Sequence, residues 1–133
     1  MRHDVYFGRL KLLGGENHLT LVAADNYALS LITLQRLKEA VSLMRRALPV
    51  AKRVLGASNE LTIRMVRSYA KALYEDGDAT LDDLREAVET LAETERTARR
   101  VLGGAHPVTE KIEDDLRGAR AALAAREAPP GDA

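Results

Sequence analysis

Arg64, Arg67 and Lys71 stand three and then four residues apart. On a helix that spacing (i, i+3, i+7) sets three cations along one stripe. Like charges so placed repel mildly, and an anion would relieve them. Arginine can do so through forked hydrogen bonds to a carboxylate. Two readings stay open. The stripe grips an extended acidic peptide, or it is a solvated face paired loosely with Asp25, Glu75 or the acidic C-terminal half.

Other chemistry finds less support in the residues. His3, His18 and His106 have no histidine partner four residues away, so a zinc site is not indicated. Carboxylates gather at Asp76, Asp78, Asp82 and Asp83, and again at Glu113, Asp114 and Asp115. The stretch DGDATLDD fits poorly to a calcium loop, which needs oxygen ligands at set positions around a central Gly and a closing Glu. Asp82 and Asp83 make sense instead at a helix start, against the positive end of its dipole. Gly14-Gly15 and Gly103-Gly104 follow helical rather than strand patterns, so they read as hinges and not as phosphate loops. No Ser/His/Asp set stands out, and the chain has no cysteine, which excludes disulfides and thiol catalysis. No cofactor is implied, and the chain is not expected to be an enzyme.

The charges are balanced overall, with 20 basic and 20 acidic side chains. That argues against general affinity for nucleic acid or anionic membrane. Their placement is uneven. Residues through Glu75 hold 12 Lys/Arg and 6 Asp/Glu, a net +6, while those from Asp76 onward hold 8 and 14, a net −6. There is no apolar signal core at the N-terminus and no segment approaching a membrane span. The expectation is a soluble, cytoplasmic protein.

The elements that position these residues come from a repeat. Leu13-Gly14, Leu55-Gly56 and Leu102-Gly103 are each followed by a threonine at the same offset: Thr20, Thr62 and Thr109. A second register agrees, since LKEAV from Leu37 matches LREAV from Leu84. The spacings of 42 and 47 residues between hinges place five extra residues in the second unit, near Asp76 to Thr80. Each unit reads as two helices. The first opens near Asn17, Asn59 or His106; Asn is a good N-cap, and Pro107 can take the first helical position at no hydrogen-bond cost. Apolar residues then follow helical spacing, as in Leu21, Ala24, Ala28, Leu31 and in Ile63, Val66, Ala70, Leu73. Gly77 is expected to close the first helix of the second unit as its C′ residue. The second helices run from about Arg36 to Leu55 and from about Leu81 to Leu102. Thr80 and Asp83 carry a capping-box signal, and Pro49 should bend its helix without ending it. Aromatic residues make up only 4% and tryptophan is absent, so the core must come from Leu, Ala and Val, which suits helices.

A two-helix unit cannot bury its apolar faces alone, whereas stacked copies can. The pattern is therefore an all-α solenoid of antiparallel helix hairpins forming one domain over residues 1–127. It holds repeats at about 17–55 and 59–102, a partial N-terminal helix, and a capping helix at 107–127. Residues 128–133 should be a disordered tail.

These residues resemble the tetratricopeptide repeat, in its longer kinesin light chain-type version. The resemblance rests on Leu102-Gly103 with His106-Pro107-Val108-Thr109, on Asn26-Tyr27-Ala28, and on Glu39-Ala40 and Glu86-Ala87. It covers roughly Leu13 to Leu123. The chain departs from the pattern at Gln35, where a small turn residue is expected. It departs again at Ser68 and Asp115, which take the Asn position, and at Arg117, which takes the small Ala position. The resemblance implies a right-handed superhelix whose first helices line a concave groove. By that analogy Val22, Asp25, Asn26, Leu29 and Ile32, then Arg64, Arg67, Ser68, Lys71 and Tyr74, are the groove residues. Asn26 would bond a peptide backbone, while Leu29, Ile32 and Tyr74 would hold an apolar anchor. The function expected is a non-catalytic interaction module binding a protein or an acidic peptide. The rival is a self-assembling or regulatory segment of a larger complex. In that reading the unpaired helix face from Val5 to Leu12 forms a homo-oligomer through the N-terminal edge.

Overall fold

Each hinge works through one glycine and one capping side chain, repeated three times. Gly14, Gly56 and Gly103 adopt φ values of 83°, 91° and 94°, left-handed backbone that glycine alone enters without strain. Their N–H groups donate back to the carbonyls of Leu10, Lys52 and Arg99, which closes the preceding helix. Their own carbonyls accept from the N–H groups of Asn17, Asn59 and His106 at 3.3–3.4 Å. Those three residues then open the next helix. The side-chain oxygens of Asn17 and Asn59 accept from the N–H groups of Leu19 and Leu61. His106 does the same with Nδ1, accepting from the Val108 N–H at 3.1 Å. A ring nitrogen that accepts carries no proton, so the imidazole proton lies on Nε2, 3.1 Å from a Glu60 carboxylate oxygen.

The computed structural model describes residues 2–128; Met1 and positions 129–133, most of the expected tail, lie outside the described residues. The described residues form six helices: α1 (Arg2–Leu13), α2 (His18–Thr33), α3 (Leu37–Val54), α4 (Glu60–Glu75), α5 (Leu81–Val101) and α6 (Pro107–Glu127). None of them is long and apolar enough to cross a membrane. α3 continues through Pro49 without a break. Thr80 and Asp83 form a reciprocal capping box at the start of α5.

The two hairpin turns differ from expectation. Gly77 does not take the left-handed conformation. Asp76 makes the turn instead, its side chain accepting from the Asp78 N–H at 2.9 Å. The longer connection leaves room for this, so no residue need be left-handed. In the shorter α2–α3 turn there is no such room. Gln35 itself is left-handed, at φ 61°, and completes a Schellman closure: Arg36 N–H to Leu31 C=O, Gln35 N–H to Ile32 C=O.

Successive helices pack against one another, and α2, α4 and α6 also touch in series. Alanines recur where helices approach closely: Ala28 and Ala70, Ala40 and Ala87, Ala51 and Ala98 are all fully buried. Small side chains at a crossing set a short distance between helix axes. The repeating threonines are buried too. Thr20 donates to the Arg9 carbonyl. The hydroxyls of Thr62 and Thr109 have no partner among the described residues.

Two outcomes test this account. Gln35→Gly removes a left-handed side chain and should stabilise the fold by about 1 kcal/mol. His106→Asn should retain the α6 cap, whereas His106→Ala should cost about 1 kcal/mol. Urea unfolding followed by circular dichroism measures both.

Candidate functional site

A groove of about 390 Å³ opens between α2, α4 and the start of α6. Asp25, Asn26 and Leu29 line it from α2, and Arg64, Arg67 and Ser68 from α4. The third wall is His106, Pro107, Val108 and Lys111. A neighbouring cavity of about 280 Å³ is lined by His18, Val22, Asn59, Glu60 and Leu61, and shares Asp25, Asn26 and Arg64.

The basic stripe is not equally open along its length. Asp115, on α6, is buried and reaches back to α4. It accepts from Arg67 Nε at 2.5 Å and from the Tyr74 hydroxyl at 2.7 Å. Lys71 Nζ lies 3.9 Å from it and 3.0 Å from Glu75. The Tyr74 ring lies flush against α6 because Gly118 carries no side chain; a Cβ there would meet the ring at about 3.1 Å. Burial, with the Asp115 bond next, pushes the Tyr74 hydroxyl far above its ordinary range and holds it as a donor. Arg67 and Tyr74 are therefore engaged with α6, and Lys71 with Glu75, within the chain. The acidic C-terminal half supplies the anion they needed.

Ser68 and Ile32 are also buried. Ser68 is buried and donates to the Asp25 carboxylate at 2.8 Å across the α2–α4 contact. It binds a neighbouring helix rather than a peptide. Ile32 belongs to the core, 5% exposed, because its position on α2 turns inward at the hairpin turn. Asp25 is itself buried, and that burial raises its carboxyl pKa despite the Ser68 bond and the nearby Arg64 and Arg67.

What the groove presents outward is a shorter set. Asn26 is exposed, and Val22 and Leu29 are half-buried. Arg64 is about half exposed in its side chain and rests 3.6 Å from Glu60. Lys111 is exposed and makes no ion pair among the described residues. The sequence reading missed Lys111, though the register held the signal: counting by the hinge threonines, Val22, Arg64 and Lys111 are the same position in three helices. The carboxylates of Asp76 and Asp83 accept turn and cap bonds from the N–H groups of Asp78 and Thr80. Among the described residues no three His or acidic side chains gather as a metal site.

Breaking the Asp115 cluster leaves the partly buried Arg67 without its anion and the Tyr74 hydroxyl without its acceptor, while Lys71 keeps Glu75. Asp115→Ala should lower stability by about 3 kcal/mol, read by denaturant unfolding. Asp25 carries the opposite sign. Its folded carboxyl pKa lies above the ordinary value of 3.8, so the folded state takes up a proton first as pH falls. The charged form thus weakens the fold at neutral pH, and that penalty fades as pH drops through the raised value toward 3.8. Asp25→Asn should be more stable than wild type at pH 7, with the difference shrinking in acid; thermal melts across pH measure it.

Residues 20–60 match the family model of the tetratricopeptide repeat. No curated protein and no solved structure matches the chain. The matched stretch spans most of α2, all of α3 and the hinge into α4. α4 and α5 repeat that hairpin around the same Leu-Gly hinge and N-cap, and the chain is a tetratricopeptide repeat protein.

Proposed function

We propose that this chain is a non-catalytic interaction module that binds an acidic peptide or protein segment in the α2–α4–α6 groove. Repeats of this family generally mediate protein–protein interaction. The observation that carries the finer reading is the pair Arg64 and Lys111. They take one repeat position on adjacent helices, border one groove of about 390 Å³, and lie outside the Asp115 cluster. Two exposed cations along such a groove favour carboxylates spaced along an extended chain. Asn26 offers an amide beside them to a peptide backbone, and Leu29 and Val22 supply the apolar contact.

The test follows from that division of labour. Arg67 is a poor target because its loss disturbs α6. Arg64→Glu with Lys111→Glu changes exposed side chains and should leave the unfolding midpoint near that of wild type. Affinity capture followed by mass spectrometry should lose acidic partners with the double variant, and their measured affinity should fall by about tenfold or more. Recovery of the same partners at the same affinity would refute the groove assignment.

A further inference from the structure

The internal repeat reveals a second surface, at the N-terminal edge. Positions related by the hinge register have matching surroundings inside the chain. Ser68 and Asp115 are buried, each against the preceding first helix, while their counterpart Asn26 is exposed. Ala72 and Ala119 are fully buried, while their counterpart Ser30 is partly open. The same holds one helix back. Ala47 and Thr94 are buried in α3 and α5, whereas Val5 in α1 is 47% exposed. Met44 and Leu91 are fully buried, whereas the matching residue of α1 is the exposed Arg2. Arg2 reaches the Asn26 carbonyl, so the two open faces are contiguous. Between them lies a cavity of about 500 Å³ lined by Arg2, Leu29, Ser30, Thr33 and Leu34. Every interior copy of this surface is covered by a helix running like α2 or α4.

We infer that this edge is a docking seat for an amphipathic, acidic helix of a partner protein, which packs where the first helix of a preceding hairpin would lie. The apolar part of the seat is Val5, Leu29 and Leu34. The polar part selects charge. Arg2 replaces the Met and Leu of the interior repeats, and α1 also bears Arg9 and Lys11 against the single acid Asp4. The incoming helix must therefore bring carboxylates, much as α6 brings Asp115 to Arg67. A second copy of this chain fits less well. Two α1 edges meeting face to face would oppose like charges. α6, offered as the missing helix, would have to bury Arg117 where Ala28 and Ala70 are fully buried in the other repeats.

Fluorescence anisotropy with two synthetic helical peptides tests this. Each has the 16-residue length of α2 and α4, with a Leu/Ala face; one carries Glu on the polar face and its twin carries Lys. The Glu peptide should bind and the Lys twin should bind about tenfold or more weakly. Ser30→Glu and, separately, Val5→Glu should each weaken the Glu peptide by a similar factor, with thermal melts checking that both variants fold. In a background carrying Arg64→Glu with Lys111→Glu, Ser30→Glu should still weaken the Glu peptide by the same factor, which separates this seat from the groove. Equal binding of the twins, no binding at all, or full affinity in a folded Ser30→Glu variant overturns the inference. So does a dimer in sedimentation that Ser30→Glu dissolves, because the occupant is then a second copy.

Discussion

A hairpin of two helices has more apolar surface than it can cover with itself. This constraint governs the whole molecule. α2 and α3 cover one another, but the back of α2 needs α4, and the back of α4 needs α6. Stability passes along the chain from neighbour to neighbour, as it does in one-dimensional repeat arrays. The hinges keep the neighbours in register. Each offers one left-handed glycine and one side chain that caps the next helix, so the angle between successive hairpins is set by local backbone chemistry. His106 demonstrates that the chemistry, and not the residue name, is what repeats: an imidazole nitrogen accepts the hydrogen bond that Asn oxygens accept elsewhere.

The polar contacts between first helices are where the repeats stop being copies. Asn26, Ser68 and Asp115 hold one position. The first is open, the second is bonded to Asp25, and the third is held by Arg67 and Tyr74. The partner changes with the residue, from a carboxylate facing a hydroxyl to a guanidinium facing a carboxylate. This explains part of the split between a basic first half and an acidic second half. Arg67 and Lys71 meet Asp115 within the chain. Buried ion pairs of this kind return little net stability, whereas removing one partner is costly because it leaves the other charge uncompensated.

Sequence alone revealed whatever was local or periodic. The Leu-Gly phrase, the N-caps and the apolar spacing of α2 and α4 are all decided within a few residues, and so the hairpins could be read directly. Two local readings failed at the turns. Gly77 was expected to be left-handed, but Asp76 could turn the chain with its own side chain. Gln35 was noted only as a departure, yet the short turn forces it into the conformation that a glycine would hold more cheaply. The site was less legible for a different reason. Helical spacing places Arg64, Arg67 and Lys71 on one stripe, and they do share one, but spacing cannot say how far the next helix overlaps that stripe. α6 covers its C-terminal end and leaves Arg64 exposed beside Glu60. The residue that replaces the covered cations, Lys111, lies 47 residues away and becomes visible only when the repeat register is followed into α6.

The two ends of the described solenoid differ in how they answer the opening constraint. At α6 the helix turns charge outward: Arg117 stands on the face where the earlier repeats bury alanine, paired with Asp114 and largely in solvent. Water can cover such a face at little cost. At α1 the outward surface carries Val5, Phe7, Leu12 and Leu13, all substantially exposed, around a cluster in which the rings of Phe7, Tyr6, Tyr27 and His3 pack tilted or edge-on against one another. That concentrates three of the chain's five aromatic residues at one edge. Apolar surface held in a rigid aromatic cluster gains more by being covered than a mobile one, because little side-chain entropy remains to be lost. The asymmetry gives the solenoid a direction that its repeats, taken singly, do not have.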